Sequence, residues 1–253
     1  MSVASFSDPG GRTAPFPPVA FLLCGCLGTR LRAVTPRPKA VLDVAGWPFL
    51  RYHLEALRRG GIRRVVLLTG HGADEVERTF GPGREGRIFV PEPAPLGTGG
   101  ALAAARAHAG PLNWVGNGDS FLDVPIEDLL RRHRPGTVGI AAVRTEDRSA
   151  YGGLEISGDD RITGFTEKGT RGPGWINAGV YLIERARLAA LPEGVSSLER
   201  DHFPKWAATG LLVAHRFHAL FRDIGTPERL AAAQEELRPI RARMERGGAG
   251  GAR

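Results

Sequence analysis

The chain has 253 residues, 42% of them hydrophobic, and 34 Lys and Arg against 27 Asp and Glu give a net charge of +7; this suits one large α/β domain or two small ones. Only Lys39, Lys168 and Lys205 are lysines, and the arginine excess is scattered in pairs such as Arg58-Arg59 and Arg63-Arg64 without aromatic platforms between them, which sets aside nucleic acid as a partner and favours small polyanions. Cys24 and Cys26 are the only cysteines, so a disulfide framework is excluded and a reducing cytoplasm fits, while no apolar run approaches a membrane span.

Residues 1–18 are rich in Ser, Pro and Gly without periodicity and are expected to be a disordered tail. VAFLLCGC looks like a short export core ending in a lipidated cysteine, but Asp8, the prolines from Pro9 to Pro18 and a lone Arg12 argue against that. VAFLLC, RRVVLLTG, RIFV and LNWVGN have the length and composition of strands buried on both faces. Between them PFLRYHLEALRRGG, ADEVERTFG and TGGALAAARAHAG read as helices, the first stopped by Gly60-Gly61. This alternation predicts a Rossmann-like, mostly parallel sheet with helices on both faces, whose ligands sit beyond the carboxyl ends of the strands.

After about Pro135, TVGIAAVR, GGLEIS, RITGFTEK and INAGVYLI read as further strands, forming a smaller β-rich lobe. The helices SSLERDHFPKWAATG and PERLAAAQEELRPI flank the strands LLVAHRF and ALFRDIG. The folded body is expected over 19–241, in halves of about 19–135 and 136–241, with 242–253 a second disordered tail.

Gly25-Cys26-Leu27-Gly28-Thr29-Arg30 follows the first strand, where backbone N–H groups can turn toward phosphate oxygens. It is neither a dinucleotide fingerprint, which would open directly into a helix, nor a Walker loop, which would carry Gly-Lys-Ser/Thr. Arg30 and Lys39 follow on one long excursion, two cations suited to a polyphosphate or, more plainly, to a solvated basic loop. A lysine kept where arginine fills nearly every cationic position favours the phosphate role. Zinc on the two cysteines is set aside because the histidines show no complementary pairing. Asp119 and Asp223 each end a strand on the ligand side, where two carboxylates can share one Mg²⁺, although each also suits a turn or a helix start.

Together these residues resemble the sugar-1-phosphate nucleotidyltransferases. The L-x-G-G-x-G-T-R-L…P-K pattern runs from Leu23 to Lys39, followed in the family's order by PLGTGGAL, NGDSFLDV, YGGLEI, FTEKG, INAGVYL and DIGTP. GTGGAL, SLERDHFP and the short chain look most like the D-glycero-D-manno-heptose 1-phosphate guanylyltransferases. The resemblance implies a nucleotide-diphospho-sugar transferase (GT-A-like) fold, with the β-rich lobe binding sugar. It implies that Leu23, Gly25, Cys26, Gly28, Thr29, Gly97, Thr98 and Gly118 hold the nucleotide, and that Arg30, Lys39 and Lys168 act on the phosphates. It implies Gly152, Glu155, Glu167 and Asn177 for the sugar, and Asp119 and Asp223 for Mg²⁺.

The implied reaction is attack by a sugar 1-phosphate oxygen on the α-phosphorus of a nucleoside triphosphate, GTP before CTP, dTTP or UTP, with pyrophosphate leaving. The oligomeric state stays open, a homodimer included. Two departures stand out. Cys26 replaces the family's second glycine, and Arg30 to Lys39 is one residue shorter than the family's spacing. Both favour a second reading, a non-catalytic nucleotide-sugar-binding relative; the retained aspartates and lysines favour the enzyme.

Overall fold

The computed structural model describes residues 6–7, 13–14, 18–25, 28, 30–31, 35–81, 86–166 and 169–248. Within the first tail, β1 (Phe6–Ser7) and β2 (Thr13–Ala14) pair antiparallel, a two-residue ladder too short to leave an apolar period in the sequence. The first half then supplies β3 (Val19–Leu23), a tight hairpin of β4 (Asp43–Val44) and β5 (Trp47–Pro48), α1 (Phe49–Arg59), β6 (Arg64–Thr69), α2 (Ala73–Phe80), β7 (Arg87–Pro91), α3 (Gly97–Ala104), β8 (Leu112–Asn117), β9 (Ser120–Leu122) and α4 (Ile126–Arg131). The second half supplies β10 (Val138–Thr145), β11 (Gly153–Ile156), β12 (Ile162–Thr166), β13 (Gly174–Glu184), α5 (Arg185–Ala189), α6 (Phe203–Ala208), β14 (Leu212–Phe217), β15 (Phe221–Asp223), α7 (Pro227–Glu236) and α8 (Arg238–Gly248).

One nine-stranded sheet runs through both halves in the order β12-β11-β13-β8-β3-β6-β7, with β10 beside β13 and β14 beside β10. β8, β3, β6 and β7 are parallel, and β13 joins β8 antiparallel. The joint is β13 itself. Its Trp175 and Ile176 pair with β11, while Val180 to Glu184 pair with β8.

Strand alternation divides the core. Ala20, Leu22, Val65 and Leu67 face α1 and α2, while Val19, Phe21, Val66 and Leu68 face α3 and α6. Each fully buried leucine contributes on the order of 2 kcal/mol. A third cluster packs Ile240 and Met244 of α8 against Leu31, Trp47, Tyr52 and Ile224. Burial of Met244 carries the packed body past the boundary expected at Arg241, and α8 itself runs to Gly248. The single helix expected over 227–240 is two, because Pro239 has no N–H to continue the ladder from α7. No described helix is long and apolar enough to cross a membrane.

Candidate active site

The carboxyl ends of β3 and β8 lie side by side, and Gly118 donates its N–H to the Leu23 carbonyl at 2.9 Å. Leu23 and Gly25 thus open a loop directly beside the Asn117–Ser120 turn. Burial pushes the Cys24 thiol well above its usual range, with Asp119 and Glu92 adding to the effect, so it behaves as a small hydrophobe. Gly28 takes φ +58°, and its Cα faces the Lys39 stem, 3.2 Å from where a Cβ would lie. Glycine is therefore needed at that point of the loop. Cys26, Thr29, Glu167 and Lys168 lie outside the described residues.

Lys39 opens a short 3₁₀ turn, and its ammonium donates to Asp119 Oδ2 at 2.8 Å. Asp223 comes alongside through the β9–β15 ladder: it pairs with Ser120, and Ile224 N–H donates to the Asp119 carbonyl at 3.0 Å. The Cβ position of Gly225 is 3.0 Å from Asp223 Oδ1 and 3.9 Å from both Arg30 Nη2 and Lys39 Nζ. Four residues singled out from distant parts of the sequence, Arg30, Lys39, Asp119 and Asp223, therefore meet at one end of the sheet.

Asp223 accepts from Arg229 Nη1 at 2.8 Å and Gly225 N at 3.0 Å on Oδ1, and from the Tyr151 hydroxyl at 2.6 Å on Oδ2. Arg229 also lies over the Tyr151 ring, 4.8 Å from its centroid. Burial, then the Asp223 carboxylate, push the Tyr151 phenol up to about 12, so it stays a donor. Tyr151 and Arg229 were missed by sequence reasoning; a Tyr in a Gly-rich turn and an Arg in a helix's first turn give no local signal.

Among the described residues no three His, Cys, Asp or Glu side chains cluster as a cage. Mg²⁺ does not require one, since it takes one or two carboxylates and completes its shell with water and phosphate. Asp119, in the turn before β9, and Asp223, at the end of the neighbouring β15, offer hard oxygens that each already face a cation, and that donor set fits the ion.

Beside these carboxylates opens a cavity of about 530 Å³, walled by Arg30, Gly152, Asn177, Thr166, Glu199 and Arg200 among others. Asn117, Ser120 and Thr166 are among its walls, and their Oδ1, Oγ and Oγ1 are buried without a partner among the described residues, which leaves hydrogen-bonding capacity beside the cavity. Asn177 is held by Gly179 N–H on Oδ1 at 2.8 Å and donates to the Tyr181 hydroxyl at 3.0 Å. Tyr181 in turn donates to Glu199 Oε1 at 3.2 Å. Glu199, within the SLERDHFP motif, carries no signal of its own in the sequence, yet its carboxylate is the hub of this wall.

Three expected residues are placed differently from their anticipated contacts. Glu155 is exposed and outside the cavity, because alternation along β11 turns it away from the face of Leu154. Thr98 spends its hydroxyl inside the protein, donating to Glu199 Oε2 at 2.8 Å and accepting from Leu198 N at 2.8 Å. Gly97, at φ +71°, lies against the Ser196 carbonyl, 2.5 Å from where a Cβ would stand, so its glycine serves the contact between α3 and the 196–199 segment. Glu92, another residue missed from sequence, packs its carboxylate over Gly25 and accepts from Leu96 N at 3.0 Å; burial pushes it up.

The nucleotidyl transferase family matches residues 19–239. The chain is 35% identical over 229 residues to mannose-1-phosphate guanylyltransferase of Mycobacterium tuberculosis, covering 86% of this chain and 64% of that protein. It is 34% identical over 228 residues to D-glycero-alpha-D-manno-heptose 1-phosphate guanylyltransferase of Aneurinibacillus thermoaerophilus, covering 86% and 97%. Among solved structures, HddC from Yersinia pseudotuberculosis complexed with GMP-PN superposes with a TM-score of 0.79 at 32% identity, over 87% of this chain and 99% of that one. The chain spans less than two thirds of the mannose-1-phosphate relatives and nearly all of the heptose relative. These matches agree with the resemblance carried by the motifs.

Proposed function

Because the chain belongs to the nucleotidyl transferase family, we propose that it joins a nucleoside triphosphate, GTP by preference, to a sugar 1-phosphate, releasing pyrophosphate and an NDP-sugar. The observation that carries this reading is the meeting of Arg30, Lys39, Asp119 and Asp223 beside a hydroxyl-lined cavity. A binder would need the cavity alone. A transferase also needs concentrated charge at the junction of two anions, and that charge is present.

The sugar phosphate is already ionised at neutral pH, so no general base is required; positioning and charge stabilisation lower the barrier. Arg30 and Lys39 would hold the β- and γ-phosphates, Lys39 exchanging its bond to Asp119 for phosphate oxygen. Arg200 on the opposite wall, with Lys168, would draw in the sugar phosphate. Asn117, Ser120, Thr166 and Asn177 would orient hydroxyls of a mannose-type hexose, a heptose or a cyclitol. Asp119 and Asp223 would hold Mg²⁺, which supplies neutralising charge to the transferred group when bound. Guanine is favoured by the named relatives and by Glu92, since a carboxylate can accept from guanine N1–H and N2–H together, a pair no other common base presents. The cytoplasm, where triphosphates are made, is the compartment this chemistry requires.

The test is pyrophosphate release with Mg²⁺ across a panel of triphosphates and sugar 1-phosphates. Release is expected with GTP and a manno-configured phosphate. Nucleotide binding without release for every pair would overturn the proposal in favour of a non-catalytic relative.

A further inference from the structure

His53 sits on the buried face of α1 with its side chain among aromatic rings, 5.7 Å from Phe49, 5.5 Å from Phe121 and 6.5 Å from Trp114 by centroid. Its Nε2 is 2.7 Å from the Ser120 carbonyl oxygen and 3.2 Å from that of Asn117. Both partners can only accept, so Nε2 carries the proton and the ring is the Nε2–H tautomer. Nδ1 is buried with no partner among the described residues.

Those two carbonyls bracket Gly118 and Asp119. The backbone of this turn is otherwise held by backbone, through Gly118 N–H on Leu23, Ile224 N–H on the Asp119 carbonyl and the pairing of Ser120 with Asp223, while Lys39 holds the Asp119 side chain. Among the described residues, His53 is the one side chain hydrogen-bonded to the turn's backbone. An apolar ring would fill the aromatic pocket without the desolvation an imidazole suffers. The polar contribution of His53 is therefore confined to its two carbonyl bonds. We propose that His53 is a positioning residue of the transfer site: its Nε2–H fixes the Asn117–Ser120 turn so that the Asp119 carboxylate meets Lys39 and stands beside Asp223. The effect on catalysis rests on the transferase reading above.

Two variants and one measurement on the unaltered protein test this. His53→Phe keeps the ring and its edge contacts but removes the donor; His53→Gln returns an N–H at similar reach. With Mn²⁺ as probe and a non-hydrolysable GTP analogue present, electron paramagnetic resonance should show ion affinity about tenfold weaker in His53→Phe, from the disordered carboxylate. Its kcat should fall about tenfold while KM for the sugar phosphate stays within about twofold, and His53→Gln should recover most of both losses. A folded His53→Phe with unchanged ion affinity and kcat overturns the proposal. So does nitrogen-resolved NMR of the unaltered protein showing the Nδ1–H tautomer, whether or not the variants fold. Parent protein inactive on the whole panel would overturn the transferase reading; an active parent with an unaffected His53→Phe overturns only the role of His53.

Discussion

Asp223→Asn separates charge from shape at the site. Asn can keep its carbonyl oxygen toward Arg229 and Gly225 N, at the positions now 2.8 and 3.0 Å from Oδ1. Its amide then faces Tyr151, whose hydroxyl rotates from donating to accepting. No donor is left facing a donor, so the stability loss is the difference between a charge-assisted and a neutral hydrogen bond, about 1 kcal/mol, or about 2–4 °C in Tm for a chain of this size. Turnover should suffer much more. A carboxylate and a cation about 4 Å apart interact by about 4 kcal/mol at an effective dielectric of 20, an upper bound that sets a loss of about 10²- to 10³-fold in kcat. The assay is continuous pyrophosphate release at saturating GTP and sugar phosphate, repeated over a Mg²⁺ series, with thermal unfolding run alongside. A kcat within about threefold of the parent, at the same Mg²⁺ requirement, would refute the assignment of Asp223 to the ion.

Cys26→Gly restores the glycine of the family pattern, and activity on the preferred pair should be equal or higher; complete loss would show that the thiol belongs to the working loop. Glu92→Gln should narrow the preference for GTP over the other triphosphates by about tenfold, since an amide offers one acceptor and one donor where guanine presents two donors; unchanged ratios of kcat/KM would remove Glu92 from base selection. His215, buried on β14, is lowered to about 4, first by burial and then by His133, Arg132 and Arg134. Its folded value lies below the usual 6.5, so its contribution is complete above pH 6.5 and is lost as pH falls toward 4, up to about 3 kcal/mol. Urea midpoints at pH 7.5, 5.5 and 4.5 should fall accordingly and flatten in His215→Leu; identical slopes would assign the acid sensitivity to other groups.

The strands of the first half were legible because burial on both faces leaves short, nearly pure runs such as VAFLL and VVLLT; their order in the sheet was not. Asp119 and Asp223 were legible through position, since each ends or follows a strand on the ligand side, and Lys39 through the scarcity of lysine in an arginine-rich chain. What escaped depends on three-dimensional pairing. β9 is three residues long and exists because β15 lies beside it; no window around Ser120 could show that. Helix α4, IEDLLR, is too short for a periodic signal. Glu155 was placed with the sugar by motif, whereas the two-residue period of β11 sets its direction outward. Thr98 shows the converse: its neighbours mark a ligand turn, but its hydroxyl reaches across 101 residues of chain to Glu199.

That long contact ties side chains of the two halves of the chain together. The sheet joins them through β13, but a strand alone fixes only the backbone. The side chains of the sugar wall are fixed in series: Asn177 to Tyr181, Tyr181 to Glu199, and Glu199 to Thr98 on the α3 turn of the nucleotide half. Each member is mostly buried and spends its polar atoms on the next, so displacing one end leaves a buried donor or acceptor unpaired further along. The series thus links the α3 turn to Asn177, which walls the cavity beside Asp119 and Asp223.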